Sequence, residues 1–244
     1  MKSKKWLLVS VMFVCMLGFI VQAERVISTA DDNGADTWLR NDQGSQDDTN
    51  GSDVRMQLRL YDDGSAVRCR IPYFRFDISS LNGSLFDAVL QVDEQEKDSG
   101  SVIVWSVYGL NDDVEGNDWD EGTTSYNNAP GFIPGTEGEY NIDTTEMTYL
   151  GTISYPGGNY RGPIQSNTTD LNLDSFLNAD TDGLVTFALF EFDSNKEWYL
   201  VTKEREASNP EWFAPRLIVP DPTVEAVYPI NGQIDVELDG TLQW

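Results

Sequence analysis

The stretch that most clearly predicts the fold is Val67-Arg68-Cys69-Arg70-Ile71-Pro72-Tyr73-Phe74-Arg75-Phe76-Asp77-Ile78. Its apolar residues recur at every second position, which is typical of a β-strand. Apolar residues occupy odd positions before Pro72 and even positions from Phe74 onward. Because proline has no N–H for the hydrogen-bonded ladder, Pro72 predicts a β-bulge or a corner of a sheet.

Short stretches with the same alternation recur along the chain and are separated by clusters of Gly, Asn, Asp and Pro. Nine further candidate strands are Val26–Thr29, Thr37–Arg40, Val54–Tyr61, Asp87–Val92, Val102–Leu110, Met147–Ser154, Leu184–Phe192, Trp198–Thr202 and Pro215–Val219. The only candidate for a helical turn is Thr169–Asn178. Many short strands with loop-rich connections predict an all-β fold, a sandwich or a jelly roll.

The composition excludes several classes of chemistry. The 244 residues include 41 acidic and 16 basic side chains and no histidine, so the formal charge is −25. Without imidazole, neither a Ser-His-Asp or Cys-His nucleophile nor a histidine-ligated metal site can be built. The negative charge argues against nucleic acid as a partner, because affinity for phosphates comes from Lys and Arg.

The first 23 residues have the pattern of a signal peptide. Lys2, Lys4 and Lys5 precede an apolar run, and the run ends in a small-residue cleavage pattern at residues 21–23. We expect the mature chain to begin at Glu24, to be secreted, and to insert in no membrane after cleavage. Cys69 is then the only remaining cysteine, so no intramolecular disulfide can form and Cys69 is interpreted as a core residue.

The composition changes again near the C-terminus. Pro220-Asp221-Pro222 is interpreted as a stiff linker, and the following residues alternate like the first strands of a new module. About 24 residues cannot bury a core of their own. Residues 221–244 are therefore interpreted as a linker and the truncated start of a second β-sandwich domain. Further domains of the same longer surface protein are the expected partners.

Four segments of residues 24–220 resemble a known family. They are Ala35-Asp36-Thr37-Trp38-Leu39-Arg40, residues 70–81, Asp87-Ala88-Val89-Leu90-Gln91-Val92, and the Trp119 to Asn127-Asn128-Ala129-Pro130 segment. Together they resemble the DNRLRE domain, which is grouped with carbohydrate-binding module family 96. The resemblance implies a jelly-roll β-sandwich that serves as an accessory module and binds carbohydrate, alginate-like polymers in some members. Residues 226–244 resemble the start of an immunoglobulin- or fibronectin-like repeat.

Arginines are concentrated in one part of this acidic chain. Five of the ten lie between residues 55 and 75, and the pairs Arg55/Arg59 and Arg68/Arg70 can each share one sheet face. One hypothesis is that these four grip the carboxylates of a uronic-acid polymer. The alternative is ion pairing with acids of the chain itself, such as Asp62, Asp63 or Asp77. Arg75, between two apolar phenylalanines, is interpreted as structural.

A sugar-binding surface also needs aromatic rings whose faces pack against pyranose C–H groups. The candidates are Trp38, Tyr73, Trp198 and Tyr199, with ordinary core or surface roles as the alternative. Trp105 and Trp119 are interpreted as a core residue and a loop anchor.

Structural calcium is the ion best suited to an exported chain with abundant oxygen ligands. Asp31, Asp32 and Asp36 form one candidate site, and the loop Asn111–Glu121 forms another. The alternative is that both are solvated acidic loops.

These observations predict a secreted, non-catalytic carbohydrate-binding module of a larger cell-surface or extracellular protein, with polysaccharide, uronate-rich polymers included, as its ligand. One alternative is a structural or adhesive spacer without a glycan ligand. A polysaccharide-degrading enzyme is a weaker alternative, because no motif selects a pair of carboxylates for glycoside hydrolysis. A cleft holding two carboxylates with shifted pKa values would favour the enzyme.

Overall fold

A computed structural model describes residues 24–220, apart from residue 43 and residues 63–66, 98–101, 136–139, 158–159 and 193–195. The predicted signal peptide (residues 1–23) and the predicted linker and second domain (residues 221–244) lie outside the described residues, so these domain boundaries stay predictions. Within the described part of the chain, no helix is both long and apolar enough to cross a membrane.

The described residues form eleven strands and two short helices. The strands are β1 (Glu24–Ser28), β2 (Ala35–Arg40), β3 (Arg55–Asp62), β4 (Val67–Asp77), β5 (Val89–Lys97), β6 (Ile103–Leu110), β7 (Met147–Tyr155), β8 (Gly162–Gln165), β9 (Leu184–Phe190), β10 (Glu197–Val201) and β11 (Arg216–Pro220). The helices are α1 (Leu173–Ala179), which overlaps the predicted helical turn, and α2 (Lys203–Ser208). Strand β8 and helix α2 were not predicted.

The strands pair in the order β1-β11-β5-β10-β3-β4-β9-β6-β7, while β2 pairs with β4 and β8 pairs with β5. All of these pairs are antiparallel. The sheet curls so that its inner face encloses a core, which confirms the prediction of an all-β sandwich. The first and last of the described strands, β1 and β11, are neighbours in this order, so the sandwich depends on long-range pairing.

Strand β4 joins the two parts of the sheet. Along one side it pairs first with β3, through residues 67–70, and then with β9, through residues 73–77. The change of partner takes place at Pro72, where a corner of the sheet was predicted. Along the other side the register with β2 continues through Pro72 without a shift, so the alternative prediction of a bulge is wrong.

The two faces of β4 belong to two different hydrophobic clusters. Phe74 and Phe76 face the main core. Cys69, Ile71 and Tyr73 face a second cluster, to which the loop between β6 and β7 contributes five further buried side chains. This explains the change of apolar parity in the sequence, because the loop buries a face that would otherwise be exposed. The thiol of Cys69 is buried there, as its interpretation as a core residue requires.

Candidate functional site

Four neighbouring strands bring most of the clustered arginines to one face of the sheet. Arg59 lies opposite Arg70, and Tyr61 lies opposite Arg68, in the pairing of β3 with β4. Cross-strand neighbours in an antiparallel pair share a face. We call this face the arginine strip, and its members are Arg40, Arg55, Arg59, Arg68 and Arg70, with the rings of Trp38, Tyr61 and Tyr199.

Two arginines of the strip converge on a single carboxylate. Arg70 Nη1 lies 2.6 Å from Glu197 Oε1, and Arg59 Nη1 lies 3.4 Å from the same oxygen. Arg70 also donates to the side chain of Gln57. The three charged side chains are half-buried, so their hydrogen bonds are only partly screened by water. The strip therefore has the geometry to hold one carboxylate between two guanidinium groups.

A second carboxylate joins the other end of the strip. Asp42 Oδ2 lies 3.2 Å from Arg40 Nη2 and 3.5 Å from Arg70 Nε. The arginines of the strip therefore form ion pairs within the chain, which was the alternative hypothesis from the sequence. Their partners in these pairs are Glu197 and Asp42, which the sequence analysis did not name. Of the acids first considered, Asp77 binds Asn33 and Ser79 instead, and Asp63 and the side chain of Asp62 lie outside the described residues.

The guanidinium groups of the strip also stack on aromatic rings. Arg55 lies 4.1 Å from the centre of the Tyr199 ring, and Arg59 lies 4.4 Å from the centre of the Tyr61 ring. Stacked guanidinium groups keep their N–H donors at the ring edge, where a ligand can reach them. Both tyrosines are half-buried, so part of each ring stays accessible.

The other predicted aromatic plates lie in the interior. Tyr73 and Trp198 are 0% exposed, and Trp38 is 4% exposed. The Tyr73 hydroxyl donates to the Pro130 carbonyl at 3.0 Å, and the Trp198 ring packs against Trp105. No open ring face remains for a sugar on these three residues, and of the predicted plates only Tyr199 lies accessible beside the arginines.

Arg75 has the structural role expected for it. Its guanidinium donates to the carbonyls of Asn33 (2.8 Å), Trp119 (2.8 Å) and Asn117 (3.3 Å), and it lies 5.2 Å from the centre of the Trp119 ring. The indole N–H of Trp119 donates to Thr186 at 3.1 Å, so Trp119 anchors its loop as predicted. Arg75 therefore fastens two loops to the sheet and takes no part in the strip.

The structure separates the three acids of the first candidate calcium site. Asp31 and Asp32 are exposed, whereas Asp36 is completely buried. Asp36 Oδ2 accepts hydrogen bonds from the Thr29 hydroxyl (2.5 Å) and the Lys203 backbone N–H (3.1 Å). Burial raises the pKa of Asp36 to about 7. Since Asp36 points away from solvent, these three carboxylates do not converge on one ion.

A different acidic group includes a residue of the second candidate loop. Oxygens of Asp112, Asp180 and Asp182 lie within 4.8 Å of one another, the one such group among the described residues. Asp112 accepts from the Thr181 hydroxyl and backbone N–H, which lowers its pKa, while burial raises the pKa of Asp180 to about 6. Structural calcium stays a prediction.

The group of Asp112, Asp180 and Asp182 also bears on the alternative that the protein is a polysaccharide-degrading enzyme. Asp112 and Asp180 lie in a cleft and have pKa values shifted in opposite directions. Their carboxyl oxygens, however, lie within 4.8 Å of each other. Glycoside hydrolysis needs two carboxyl groups about 5 Å or more apart, with the sugar between them. The spacing of this pair is shorter than that reaction needs.

Sequence reasoning missed several members of the strip. Tyr61 could have been found, because it lies two residues from Arg59 and so shares its face. Glu197 and Arg40 could not have been placed there without knowing that β10 and β2 border β3 and β4. Their contribution depends on pairing between distant parts of the chain.

Comparison with known proteins adds one match. A family model described as carbohydrate-binding module family 96 matches residues 29–150, which is half of the chain. The matched residues include β2 to β6 and every arginine of the strip. No curated protein matches the chain.

Proposed function

Because the chain belongs to carbohydrate-binding module family 96, we propose that it is a secreted, non-catalytic module that binds a uronate-rich polysaccharide through the arginine strip. The family supports carbohydrate binding as the general role. The finer statements, which are the acidic ligand, the surface that binds it and the export of the chain, are our proposal. The observation that carries it is the convergence of Arg59 and Arg70 on one carboxylate oxygen.

A uronate offers the strip the same chemical group that Glu197 offers. Hydrogen bonds from arginine to a carboxylate are charge-assisted and stronger than neutral ones. The half-buried rings of Tyr61 and Tyr199 lie beside these donors and can pack against the C–H side of a sugar ring. The strip thus combines a carboxylate grip with aromatic contact, which together suit an acidic sugar better than a neutral one.

The charge distribution also supports an acidic ligand at this place. A polyanion is repelled by most of a chain with a net charge of −25. It is attracted only where guanidinium groups are concentrated. The strip brings together five of the ten arginines of the chain.

The double variant Arg55→Gln/Arg68→Gln is expected to lose about tenfold or more in affinity for polygalacturonate or alginate. Each charge-assisted hydrogen bond that is lost costs about 1.5–3 kcal/mol. Arg55 and Arg68 are chosen because the ion pairs of Glu197 are made by Arg59 and Arg70, so both of those ion pairs are kept. Affinity gel electrophoresis of the full chain measures the change, and Arg161→Gln, an exposed arginine outside the strip, is the matched control.

Glu197→Gln separates binding from a purely structural role. If the arginines hold a uronate, removing the competing carboxylate strengthens retention on polygalacturonate, although the ion pairs with Arg59 and Arg70 are lost. If the arginines only hold Glu197, the variant loses stability and retention does not increase. Wild-type chain that is retained by no acidic polysaccharide would contradict the proposal and favour the structural or adhesive spacer, the role that the internal ion pairs alone would support.

The remaining parts of the proposal concern the whole protein. We propose that the module acts without catalysis, and the short distance between Asp112 and Asp180 supports this. We also propose that it belongs to a longer extracellular or cell-surface protein, with further domains as its covalent partners. The signal-like residues 1–23 and the alternating residues 224–244 support these two statements.

A further inference from the structure

The two strands at one end of the sheet contain no charged residues, and neither does their neighbour β9. Strands β6 and β7 pair with each other at the end of the strand order. Neither strand contains Asp, Glu, Lys or Arg, although 23% of the chain is charged. Soluble proteins commonly place charged side chains at such an edge. Because this edge lacks such charges, it is a candidate surface for binding another molecule.

The outer side of these strands carries rings and hydroxyl groups. Val104 lies opposite Ser154, Ser106 lies opposite Thr152, and Tyr108 lies opposite Tyr149. A register shift between Val107 and Tyr108 puts Tyr149 on the same side as the two β7 hydroxyl residues. We call this surface the uncharged face, and its members are Val104, Ser106, Tyr108, Tyr149, Thr152, Ser154 and Phe192.

The aromatic members form a connected row. The Tyr108 ring lies 5.3 Å from the Tyr149 ring and 5.1 Å from the Phe190 ring, and Phe190 stacks on Phe192 at 6.1 Å. The two ends of the row are open to solvent, with Tyr149 at 52% and Phe192 at 47% exposure. Phe190 in the middle is fully buried, so the row is supported by the core and its ends are held in place.

The chemistry of the face selects among occupants. A second copy of the chain would bring another net charge of −25 against the first, and an anionic membrane surface would be repelled in the same way. Ser106, Thr152 and Ser154 also interrupt the apolar surface, unlike the apolar centre of a stable protein interface. A neutral sugar chain fits both properties, because it presents C–H faces to rings and hydroxyl groups to hydroxyl groups.

We propose that the uncharged face is a second carbohydrate-binding surface, which takes a neutral polysaccharide. This inference rests on the carbohydrate-binding role proposed above but not on the arginine strip. The strip lies on β2, β3, β4 and β10, whereas the uncharged face lies on β6 and β7 and includes Phe192, two residues after the end of β9. The two surfaces are therefore built from different strands, and each can be removed without altering the other.

The test uses the full chain and gels that contain hydroxyethyl cellulose, laminarin, galactomannan or polygalacturonate. Tyr149→Ala/Phe192→Ala is expected to lose about tenfold or more in retention on the neutral polymer that retains the wild type, because two exposed ring contacts are lost. Retention on polygalacturonate is expected to stay unchanged. Phe86→Ala, which removes an exposed ring elsewhere, is the matched control. Thr152→Asp is a second variant that adds charge to the face without removing a ring.

The possible outcomes are distinct. Retention of the wild type by none of the three neutral polymers would overturn the inference, as would equal retention of the wild type and the double variant. A wild-type dimer that Tyr149→Ala/Phe192→Ala dissociates in analytical ultracentrifugation would overturn it too, since the face would then be an interface between copies. Loss of binding to polygalacturonate alone, in the arginine variants, concerns only the strip.

Discussion

Arg75→Met is expected to lower the free energy of unfolding by about 3–5 kcal/mol, because several hydrogen bonds from a charged donor, each worth about 1.5–3 kcal/mol, are lost together. Methionine keeps most of the aliphatic side chain and removes all five donors. The carbonyls of Asn33, Asn117 and Trp119 then lose their hydrogen bonds, and the ring of Trp119 loses its stacked cation. Urea denaturation followed by tryptophan fluorescence measures the change.

Arg216→Met is the matched control for this substitution. Arg216 also stacks on a ring, 4.1 Å from the centre of Phe213, and pairs with Glu206 at 3.0 Å. Its side chain is 29% exposed, so the expected loss is below about 1 kcal/mol, as for other solvent-exposed ion pairs. Equal losses for the two variants would show that Arg75 does not fasten the loops.

As the pH rises from about 4 to about 8, the free energy of unfolding is expected to fall. Burial raises the pKa of Asp36 to about 7, and burial raises the pKa of Asp93 and Asp180 to about 6. Between the ordinary pKa and these values, the folded chain binds more protons than the unfolded chain, so stability decreases with pH. The loss begins near pH 4 and is complete about one unit above the highest folded pKa.

Asp36 is expected to dominate this dependence. A difference of about three pH units corresponds to at most about 4 kcal/mol. Asp36→Asn removes the titration but keeps an oxygen for the Thr29 hydroxyl and the Lys203 N–H. The variant should therefore be more stable than the wild type at pH 8 and show a flatter dependence between pH 4.5 and 8 in urea denaturation.

Asp143→Asn is the control for the pH experiment. The hydroxyl and the backbone N–H of Thr145 both donate hydrogen bonds to the Asp143 carboxylate, and these bonds lower the pKa of Asp143. The stability that it contributes is present above its ordinary pKa and is lost only as the pH falls through the lower folded value. Its substitution should leave the slope between pH 4.5 and 8 unchanged. A wild-type stability that increases over this range would contradict the assignment of Asp36.

The candidate site could be predicted only in part. The spacing of Arg55, Arg59, Arg68 and Arg70 predicted that arginines share a sheet face, because side chains on a strand alternate with a period of two. Their pairing with Glu197 depends on β10, because Glu197 comes 127 residues after Arg70 in the chain. Glu197 was therefore not predicted as part of the site. It matters because it occupies N–H donors of Arg59 and Arg70 that a bound carboxylate would otherwise use.

The burial of the aromatic candidates Tyr73 and Trp198 could not be predicted from the alternating pattern of the sequence. The alternation of side chains along a strand predicts that Tyr73 and its neighbours Pro72 and Phe74 lie on opposite faces of the sheet. It does not predict which of the two faces is covered by other parts of the chain. The loop between β6 and β7 folds over the face of Tyr73, so both sides of β4 are buried. Trp198 is buried for a simpler reason, since it faces the main core from β10.

Local pattern by itself determined that this is an all-β chain, where ten of its eleven described strands lie, that Cys69 and Trp105 are core residues, and which family it belongs to. These properties follow from periodicity and short motifs, which are encoded by neighbouring residues. The tertiary structure alone decided that Arg59 and Arg70 share Glu197, that Asp36 is buried with a raised pKa, and that Tyr149 and Phe192 end one exposed row. Contacts of this kind join residues far apart in the chain, so they exist only once the strands have paired and the loops have closed over the sheet.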